Sequence, residues 1–530
     1  MVSLMKNIQI LIVDYGSQYT LVIGRTLREL GVRSVILPPK KTDMWLKNNA
    51  PKAVILSGSN WSVHNEGAPG LPKSLDNAGE KYLILGVCYG MQLLAHKLGG
   101  KVAKPHDHRE YGPAEVIVNT KHPLFKNIQQ KTKVWASHGD TVTKLPKNFT
   151  SIATSGGISA MADMRNRVMG IQFHPEVVDT KEGKKILQNF LNLAGCHKDW
   201  DPINLIHEIQ KEVLDIVTSP QPSPDRGGSK GKVIKQNVIL GFSGGVDSTT
   251  LAAVLAPVLG KRLVCVAIDT GGVRASELEE IKTNALSVLG AGVKNLVVIS
   301  AAKEFIKNIG TTIDGEEKRA KFRTVYKKIF EQQIEKYKAG FIVQGTLATD
   351  LIESGKMGES AMIKTHHNVG LSWKIQDLHP FRNLFKYEVR ELARALKLPK
   401  TIHERNPFPG PGLFLRVVGT PVSKENIALV READKTVTEI LKKHNLVKEI
   451  SQVIVALLGI NSVGVKGDER VYGHSLAVRA IKTSDFMTAK GYYFPEVVMN
   501  EITSALTKHQ AIVRVFFDMT PKPPATTEFE

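Results

Sequence analysis

The sequence predicts an α/β protein built on parallel sheets that are covered by helices. Short apolar, β-rich runs recur along the chain and alternate with helical segments, as expected for strands that are buried on both faces. Two of these runs end in a glycine-containing turn that leads directly into a helix, where open α/β sheets bind ligands. At 530 residues the chain is too long for one ordinary hydrophobic core, so we expect several domains.

The first of these turns places a cysteine between two glycines. The predicted strand Tyr82–Val87 runs into the sequence Gly-Val-Cys-Tyr-Gly (86–90), and a helical sequence follows. Small flanking residues permit a strained turn that projects the central side chain, and a helix N-terminus favours a thiolate. Cys88 is therefore either a nucleophile or a buried structural cysteine, which is the commoner role at a strand end.

A second predicted strand, Val168–Phe173, is followed closely by His174 and Glu176. A cysteine nucleophile needs a base to accept its proton and a third group to orient that base. The two side chains are two residues apart, so they lie on the same side of an extended segment. A His-Pro-Glu sequence alone is typical of a capped loop, but together with Cys88 it indicates a catalytic set.

The second turn is rich in glycine and hydroxyl groups. The sequence VILGFSGGVDS (238–248) predicts a buried strand and a tight turn, and a helix is predicted over Thr249–Leu259. Backbone N–H groups and the helix dipole converge there, which favours binding of a phosphate. No Lys-Ser or Lys-Thr follows the glycines, so the turn is not a Walker A loop. Asp269 ends the next predicted strand, where a ligand contact and a surface turn are equally good interpretations.

Composition limits the partners and the compartment. The chain has 71 basic and 51 acidic residues, a net charge of +20, which favours anionic partners such as nucleic acid or nucleotides. No long basic block stands out, so we attribute most of the excess to a lysine-rich surface. Three scattered cysteines predict neither disulfides nor a zinc site. Neither a signal peptide nor a run long enough to span a bilayer is predicted, and we expect a cytoplasmic protein.

Residues 8 to about 195 resemble a class I (triad) glutamine amidotransferase domain. The matching motifs are Asp14-Tyr15-Gly16-Ser17-Gln18, Gly86-Val87-Cys88-Tyr89-Gly90-Met91-Gln92, Ser137-His138-Gly139-Asp140 and Gln172-Phe173-His174-Pro175-Glu176. The resemblance implies that Cys88 attacks the amide of glutamine, forms a glutamyl thioester and releases ammonia. His174 would be the general base and acid, with Glu176 orienting it.

The same resemblance implies an oxyanion hole made by backbone N–H groups near Gly58 and at Tyr89. His138 would be structural or line the glutamine pocket. Ser59 replaces a glycine that is usual in the family. If this turn requires a positive φ at Ser59, the serine costs roughly 1 kcal/mol relative to glycine.

The turn after Val238 resembles the PP-loop of the N-type ATP pyrophosphatases, which adenylate a substrate oxygen and release pyrophosphate. The residues that the resemblance assigns to ATP are Ser243, Gly244, Gly245, Val246, Asp247, Ser248, Thr249, Asp269 and Asp350. Asp350 would also hold Mg²⁺, since a carboxylate suits that hard cation. No prosthetic group is expected. The pair of histidines within Thr365–Asn368 is not expected to share a metal, because adjacent side chains diverge.

The order of these regions along the chain resembles the family of glutamine-hydrolysing GMP synthetases. The predicted domains are a class I amidotransferase (1–196), a linker (197–236), a doubly wound PP-loop ATP pyrophosphatase of the adenine nucleotide alpha hydrolase type (237–405) and a small α/β domain for dimerisation and XMP binding (406–530). The resemblance implies synthesis of GMP from XMP, ATP and glutamine through an adenyl-XMP intermediate, in de novo purine nucleotide biosynthesis, by a homodimer. The implied XMP contacts are Arg319, Asp468, Lys522 and Glu528.

Several segments depart from the family pattern. The Pro/Gly/Ser-rich stretch 219–231 is predicted to be an insertion without a catalytic role. Asn406 replaces a histidine, and Thr527 and Phe529 replace isoleucine and tryptophan in the tail. The sequence Thr-Gly-Gly-Val-Arg (270–274) replaces Asn-Gly-Leu-Leu-Arg beside the nucleotide pocket. An acidic tail that carries Lys522 is expected to fray unless a ligand holds it.

Two other functions are weighed against this prediction. An RNA-modifying protein would account for the charge and the PP-loop, but aromatic residues make up only 6% of the chain and no RNA-binding module is recognisable. A regulatory glutamine-binding protein without catalysis is disfavoured, because the cysteine, histidine and glutamate are all present. We therefore expect small-molecule substrates, and neither a nucleic acid nor a membrane partner.

Overall fold

The computed structural model describes residues 8–17, 19–103, 110–165, 167–219, 236–289, 295–347, 350, 372–403, 408, 410–483, 489–522 and 524–530. These residues divide into two units, 8–208 and 209–530, and each is described by itself. The segment Thr365–Asn368, Asn406 and nearly all of the predicted insertion lie outside the described residues. Within the described part of the chain, no helix combines the length and apolar character needed to cross a membrane.

The first unit is built around a nine-stranded mixed sheet with the strand order β2-β1-β3-β4-β11-β10-β9-β6-β7. The strands of the unit are β1 (Ile10–Val13), β2 (Ser34–Leu37), β3 (Ala53–Leu56), β4 (Leu83–Val87), β5 (Lys101–Ala103), β6 (Glu110–Val118), β7 (Lys131–His138), β8 (Thr141–Lys144), β9 (Phe149–Thr154), β10 (Ile158–Asp163) and β11 (Val168–Ile171). The helices are α1 (Thr20–Glu29), α2 (Pro39–Leu46), α3 (Ala78–Lys81), α4 (Tyr89–Lys97), α5 (Gly183–Leu193) and α6 (Pro202–Thr218), which continues into the second unit.

The parallel half of this sheet is formed by apolar runs and includes β4 and β11, the strands predicted at Tyr82–Val87 and Val168–Phe173. β2, β1, β3, β4 and β11 are parallel, and the residues of β1, β3 and β4 are buried throughout, because helices cover both faces. The antiparallel half, β10-β9-β6-β7, was not predicted from the sequence. Since β4 and β11 are neighbours, the residues that follow these two strands meet at one edge of the sheet.

The second unit contains a five-stranded sheet in which every strand is parallel, in the order β14-β13-β12-β15-β16. Its strands are β12 (Asn237–Gly241), β13 (Leu263–Asp269), β14 (Leu296–Ser300), β15 (Ala339–Val343) and β16 (Gln376–Leu378). The helices around it are α7 (Val246–Leu259), α8 (Glu277–Leu289), α9 (Ala302–Ile309), α10 (Gly315–Lys336), α11 (Lys386–Ala395) and α12 (Lys400–His403). The strand order reverses between β12 and β15, and such a switch point is where open α/β sheets bind ligands.

The third sheet, also in the second unit, is organised around a long antiparallel hairpin. Its strands are β17 (Val417–Val418), β18 (Gln452–Lys466), β19 (Glu469–Lys482), β20 (Lys490–Gly491) and β21 (Ile512–Asp518), with helices α13 (Lys424–Lys443) and α14 (Glu496–Thr507). The first half of β18 is mostly buried, and the half nearest the turn is mostly exposed. The hairpin therefore extends beyond the core on which α13 packs.

Buried cations hold the C-terminal tail, which corrects the expectation that it would fray without a ligand. Arg479 donates to the side chain of Asp518 and to backbone carbonyls of the tail, among them those of Thr526 and Thr527. Arg416 pairs with Glu528, at 3.2 Å, and also with Asp434 on α13, at 2.7 Å. A charge buried without a partner is costly, so each cation favours the ordered tail.

The last residue, Glu530, is held in the same way. Lys318 is buried on α10, and its Nζ lies 2.6 Å from the carboxylate of Glu530. Burial lowers the pKa of Lys318 and raises that of Glu530, while the attraction between the two opposes both shifts. The ion pair thus anchors the end of the chain on α10.

Replacing Arg416 with alanine should lower the free energy of unfolding of the second unit by about 3 kcal/mol, because Glu528 loses its ion pair and the buried Asp434 keeps only that with Arg274 among the described residues. Lys435→Ala is the control. Its ion pair with Glu439 is exposed, so we expect a loss below about 0.5 kcal/mol. Urea denaturation measures both variants, and equal losses would contradict the assignment of the tail contacts.

Candidate functional site

Cys88 lies in a strained turn between β4 and α4. Its backbone has φ 52° and ψ −108°, a conformation that costs energy for a residue other than glycine. A Cβ atom on Gly86 would lie 2.5 Å from the carbonyl carbon of Gly90, and one on Gly90 would lie 2.4 Å from the carbonyl oxygen of Leu56. Both glycines are therefore required for the turn to close, as the sequence predicted.

Backbone hydrogen bonds tie this turn to two other strand ends. The N–H of Cys88 donates to the carbonyl of Ile171, the last residue of β11, at 2.8 Å. The N–H of Gly90 donates to the carbonyl of Ser57, which follows β3, at 3.1 Å. The cysteine is thereby fixed beside the segment that carries the predicted base.

His174 and Glu176 form a buried hydrogen-bonded pair next to Cys88. The Nδ1 atom of His174 lies 2.7 Å from Oε1 of Glu176, and the imidazole is 2% exposed. The side chain of Cys88 also hydrogen-bonds the ring. Because Nδ1 is engaged by the carboxylate, Nε2 is the ring nitrogen that remains for the sulfur. The structure thus brings the three predicted residues together in the order thiol, imidazole, carboxylate.

The surroundings of His174 favour its protonated form. Burial alone lowers the pKa of the imidazole, but the carboxylate of Glu176 and the sulfur of Cys88 outweigh burial and raise the pKa to about 10. The imidazolium can therefore stabilise a thiolate and later donate its proton to a leaving group.

The turn after β3 lies beside the same imidazole. A Cβ atom on Gly58 would lie 3.2 Å from Cε1 of His174, so a larger residue would crowd the ring. Ser59 does not occur among the described non-glycine residues with positive φ, so the condition under which the serine would cost free energy is not met. Its hydroxyl instead donates to the carbonyl of Tyr15, at 2.7 Å. The serine therefore stabilises the turn rather than straining it.

His138 is buried at the end of β7. Its Nδ1 lies 3.1 Å from the carbonyl oxygen of Asp140, and the amide of Gln92 on α4 donates to the same oxygen at 2.7 Å. Cys88 Sγ lies 3.6 Å from the carbonyl of Ser137, so this strand end borders the thiol. These contacts fit the predicted structural role of His138.

The predicted phosphate loop has the expected strand–turn–helix geometry, with the helix starting at Val246 rather than Thr249. Gly244 has φ 69°, and a Cβ there would lie 2.7 Å from Cγ1 of Ile281. The hydroxyls of Ser243 and Ser248 lie 3.1 Å apart across the turn. The turn thus presents hydroxyls and the N-terminus of α7, a site suited to an anion.

Charged side chains border this loop. Asp247 lies in the first turn of α7, and its Oδ2 forms an ion pair with Lys386. Its other oxygen, Oδ1, is buried and has no hydrogen-bond partner within the described residues. Asp269 accepts the N–H of Gly271 at 3.0 Å, and Asp350 accepts the N–H of Leu347 at 2.8 Å. Among the described residues there is no group of three or more metal-ligating side chains. A cation here would need phosphate oxygens to complete its coordination, as Mg²⁺ commonly does.

The four residues predicted to contact XMP are not brought together in one chain. Arg319 neighbours the Lys318 anchor of the tail, and Glu528 and Lys522 belong to the tail itself. Asp468 instead occupies the turn of the β18–β19 hairpin, with φ 65°. At about 3.3 Å per residue, the strand between Gln452, which binds Glu528, and this turn spans roughly 45 Å. A single XMP molecule cannot contact both Asp468 and Glu528 of one chain.

The sequence did not predict some residues that contact the candidate sites. Lys386 begins α11, and nothing in the local pattern indicated that it pairs with Asp247. Tyr19, whose ring packs against that of His174, follows the motif at residues 14–18 directly, which was the one available signal. Thr180 donates to the carbonyl of His174 from a loop without a motif.

Two regions of the chain match known protein families. Residues 11–194 match the family model described as glutamine amidotransferase class-I, and residues 439–529 match the model described as GMP synthase C terminal domain. The chain is therefore a class I glutamine amidotransferase domain followed by a domain of the GMP synthase type, and the predicted fold class is confirmed.

Full-length relatives identify the family. The glutamine-hydrolysing GMP synthase of Thermus thermophilus is 41% identical over 528 residues, covering 98% of this chain and 100% of the relative. That of Treponema denticola is 39% identical over 532 residues, covering 98% and 97%, and that of Brachyspira hyodysenteriae is 38% identical over 534 residues, covering 98% and 99%. The chain belongs to the family of glutamine-hydrolysing GMP synthases.

Gly90→Ala should abolish glutamine hydrolysis, because the added Cβ would force α4 away from β3 and move Cys88. Gly157→Ala is the matched control, since a Cβ there meets no atom within 4 Å and the backbone lies outside the positive-φ region. Glutamate release from glutamine measures both variants. Retention of full activity by Gly90→Ala would contradict the account of the turn.

The raised pKa of His174 predicts a pH-dependent contribution to stability. The ordinary histidine pKa is about 6.5, so this contribution is complete below pH 6.5 and is lost as the pH rises towards 10. Glu176→Gln removes the carboxylate that raises the pKa. The difference in unfolding free energy between wild type and variant should therefore shrink between pH 6.5 and pH 10.

Urea titrations followed by tryptophan fluorescence measure this difference for the first unit, because four of the five tryptophans (Trp45, Trp61, Trp135 and Trp200) belong to it. A difference that is constant over this pH range would show that His174 is neutral in the folded protein.

Proposed function

We propose that the turn at Cys88 releases ammonia from glutamine and that the turn at Ser243 activates XMP with ATP. The chain is a glutamine-hydrolysing GMP synthase, a carbon–nitrogen ligase of purine biosynthesis. The observation that carries the proposal is the buried contact of His174 with both Glu176 and Cys88 at a strained turn.

In the first half-reaction, the sulfur of Cys88 attacks the side-chain amide carbon of glutamine. The backbone N–H groups near Gly58 and at Tyr89 stabilise the oxyanion. The carbon–nitrogen bond then breaks, and the imidazolium of His174 gives its proton to the leaving ammonia. Glu176 holds Nδ1 throughout, and a water molecule, deprotonated by His174, hydrolyses the thioester to glutamate.

In the second half-reaction, ATP binds with its phosphates on the loop that starts at Ser243. Oxygen O2 of XMP attacks the α-phosphorus, the bond to the β-phosphate breaks, and adenyl-XMP and pyrophosphate form. Ammonia then attacks C2, and AMP leaves. The loop hydroxyls and the N-terminus of α7 stabilise the charge on the departing pyrophosphate.

The remaining ATP contacts belong to the same edge of the parallel sheet. Asp269 ends β13, and Asp350 follows β15. We assign Mg²⁺ to Asp350, and the unpartnered Oδ1 of Asp247 supports a cation near the loop. A bound Mg²⁺ would neutralise phosphate charge. We infer that no prosthetic group takes part, because glutamine, ATP and XMP supply all of the reacting atoms.

We assign the XMP contacts of one chain to Arg319, Lys522 and Glu528, because buried cations hold this tail beside α10. Asp468 would reach an XMP site only in a second copy of the chain. The exposed apolar side chains on the hairpin, Ile460, Val463, Val465 and Tyr472, support a homodimer formed through this hairpin.

We also propose that the enzyme acts in the cytoplasm, with small molecules as its partners rather than nucleic acid or membranes. The three cysteines are unpaired, which suits a reducing compartment. The excess of basic residues then attracts the negatively charged nucleotide substrates and keeps the surface solvated.

The two half-reactions can be separated by supplying either glutamine or ammonia together with XMP, ATP and Mg²⁺. Cys88→Ala should lose at least about a thousandfold in glutamine-driven GMP synthesis, because the nucleophile is gone, and keep the ammonia-driven rate. Gly244→Ala should lose both the glutamine-driven and the ammonia-driven activity, since its Cβ would collide with Ile281 and distort the phosphate loop.

Chromatographic detection of GMP and AMP measures both reactions. Equal loss of both activities in Cys88→Ala would contradict the division of labour. Wild-type protein that forms no GMP from either nitrogen source would contradict the proposed function itself.

A further inference from the structure

Tyr19 contacts the candidate base, and no step proposed above uses it. The residue immediately precedes α1 and is partly buried. The centroid of its ring lies 4.7 Å from that of the His174 imidazole, with the planes inclined by 58°. A cation within about 6 Å of an aromatic centroid is attracted by the ring, so this contact favours the imidazolium over the neutral imidazole.

The phenol of Tyr19 is itself held in place by Trp135 on β7. The two side chains share a hydrogen bond. Because an indole N–H can only donate, Trp135 is the donor and the oxygen of Tyr19 accepts. The ring that packs against His174 is thus attached to a strand of the central sheet.

The backbone of Trp135 also holds the backbone of His174. The carbonyl of Trp135 accepts the N–H of His174 at 3.0 Å. The N–H of Trp135 donates to the hydroxyl of Thr180 at 3.0 Å, and that hydroxyl donates to the carbonyl of His174. Trp135 therefore fixes the main chain of His174 directly and its ring through Tyr19.

We propose that Tyr19 is a positioning residue of the glutaminase site, which keeps the imidazole of His174 aligned between Cys88 and Glu176 and stabilises its protonated form. This inference rests on the proposed role of His174. The other titratable groups that act on this pair of rings are the thiol of Cys88, the carboxylate of Glu176 and that of Asp179. Cys88 and Glu176 hydrogen-bond the imidazole, whereas Tyr19 contributes a packed aromatic surface.

Three variants separate the aromatic ring from its hydrogen bond. Tyr19→Leu keeps an apolar side chain beside the His174 imidazole but removes the aromatic ring. It should lower the glutamine-driven kcat about tenfold, with KM for glutamine changed less than about twofold, and shift the alkaline limb of kcat/KM by about half to one pH unit towards acid.

Tyr19→Phe and Trp135→Phe each remove one side of the hydrogen bond and should each lower kcat about threefold to tenfold. The double variant should lose no more than either single variant, because both changes break the same interaction.

The controls identify the cause of any loss. Ammonia-driven GMP synthesis should be unchanged in all these variants. Tyr82→Phe, which removes a phenolic hydroxyl at the opposite end of β4 from Cys88, should match wild type. Cys88→Ala is assayed in parallel, and if it still uses glutamine, the proposed function is wrong.

If Cys88→Ala is inactive with glutamine while Tyr19→Leu retains both its kcat and its alkaline limb, only the role of Tyr19 is wrong. Additive losses in Tyr19→Phe/Trp135→Phe, or an effect on KM alone, would also overturn that role.

Discussion

Both candidate sites depend on a tight turn that connects a parallel strand to the following helix. In the first unit this turn forms only because Gly86 and Gly90 have no side chains, which lets the backbone of α4 pack directly against the backbones of β3 and β4. In the second unit Gly244 gives the phosphate loop its positive φ. Both turns set a helix N-terminus at the carboxyl ends of parallel strands, where positive potential would favour a thiolate in one case and phosphates in the other. The same backbone geometry thus supports two different chemistries.

The C-terminal tail depends on a different principle, the cost of a buried unpaired charge. Arg416, Arg479 and Lys318 are buried, and each has an acidic partner in or beside the tail. Thr527, one of the departures from the family pattern, takes part in this arrangement through its backbone carbonyl, which accepts a hydrogen bond from Arg479. Gly272 is another departure, and a larger residue would not fit there because a Cβ atom would lie 2.7 Å from the ring of Phe414. The carbonyl of Gly272 accepts the N–H of Leu413. The backbone at Gly272 therefore lies closer to the segment of Leu413 and Phe414 than a larger residue would allow.

The sequence predicted those parts of the fold and site that local chemistry determines. The turn at Cys88, the phosphate loop and most of the parallel strands follow from continuous apolar runs, and the structure has them within a few residues of the expected bounds. The short strand β16 was not predicted. Contacts between distant segments left no local signal. The pairing of Lys386 with Asp247 and the packing of Tyr19 against His174 depend on how the elements come together. The hydrogen bond from the Ser59 hydroxyl to the carbonyl of Tyr15 likewise joins segments that are distant in the sequence. The distance of Asp468 from the tail also depends on the length of the β18–β19 hairpin.

The central claim is that the loop at Ser243 directs attack of a nucleotide oxygen on the α-phosphorus of ATP, before ammonia from the first unit replaces that oxygen. Synthesis of GMP from XMP labelled with ¹⁸O at O2 tests this claim most directly. The account predicts that mass spectrometry finds the label in AMP, one atom for each GMP formed. Label in pyrophosphate, or released into water, would contradict it.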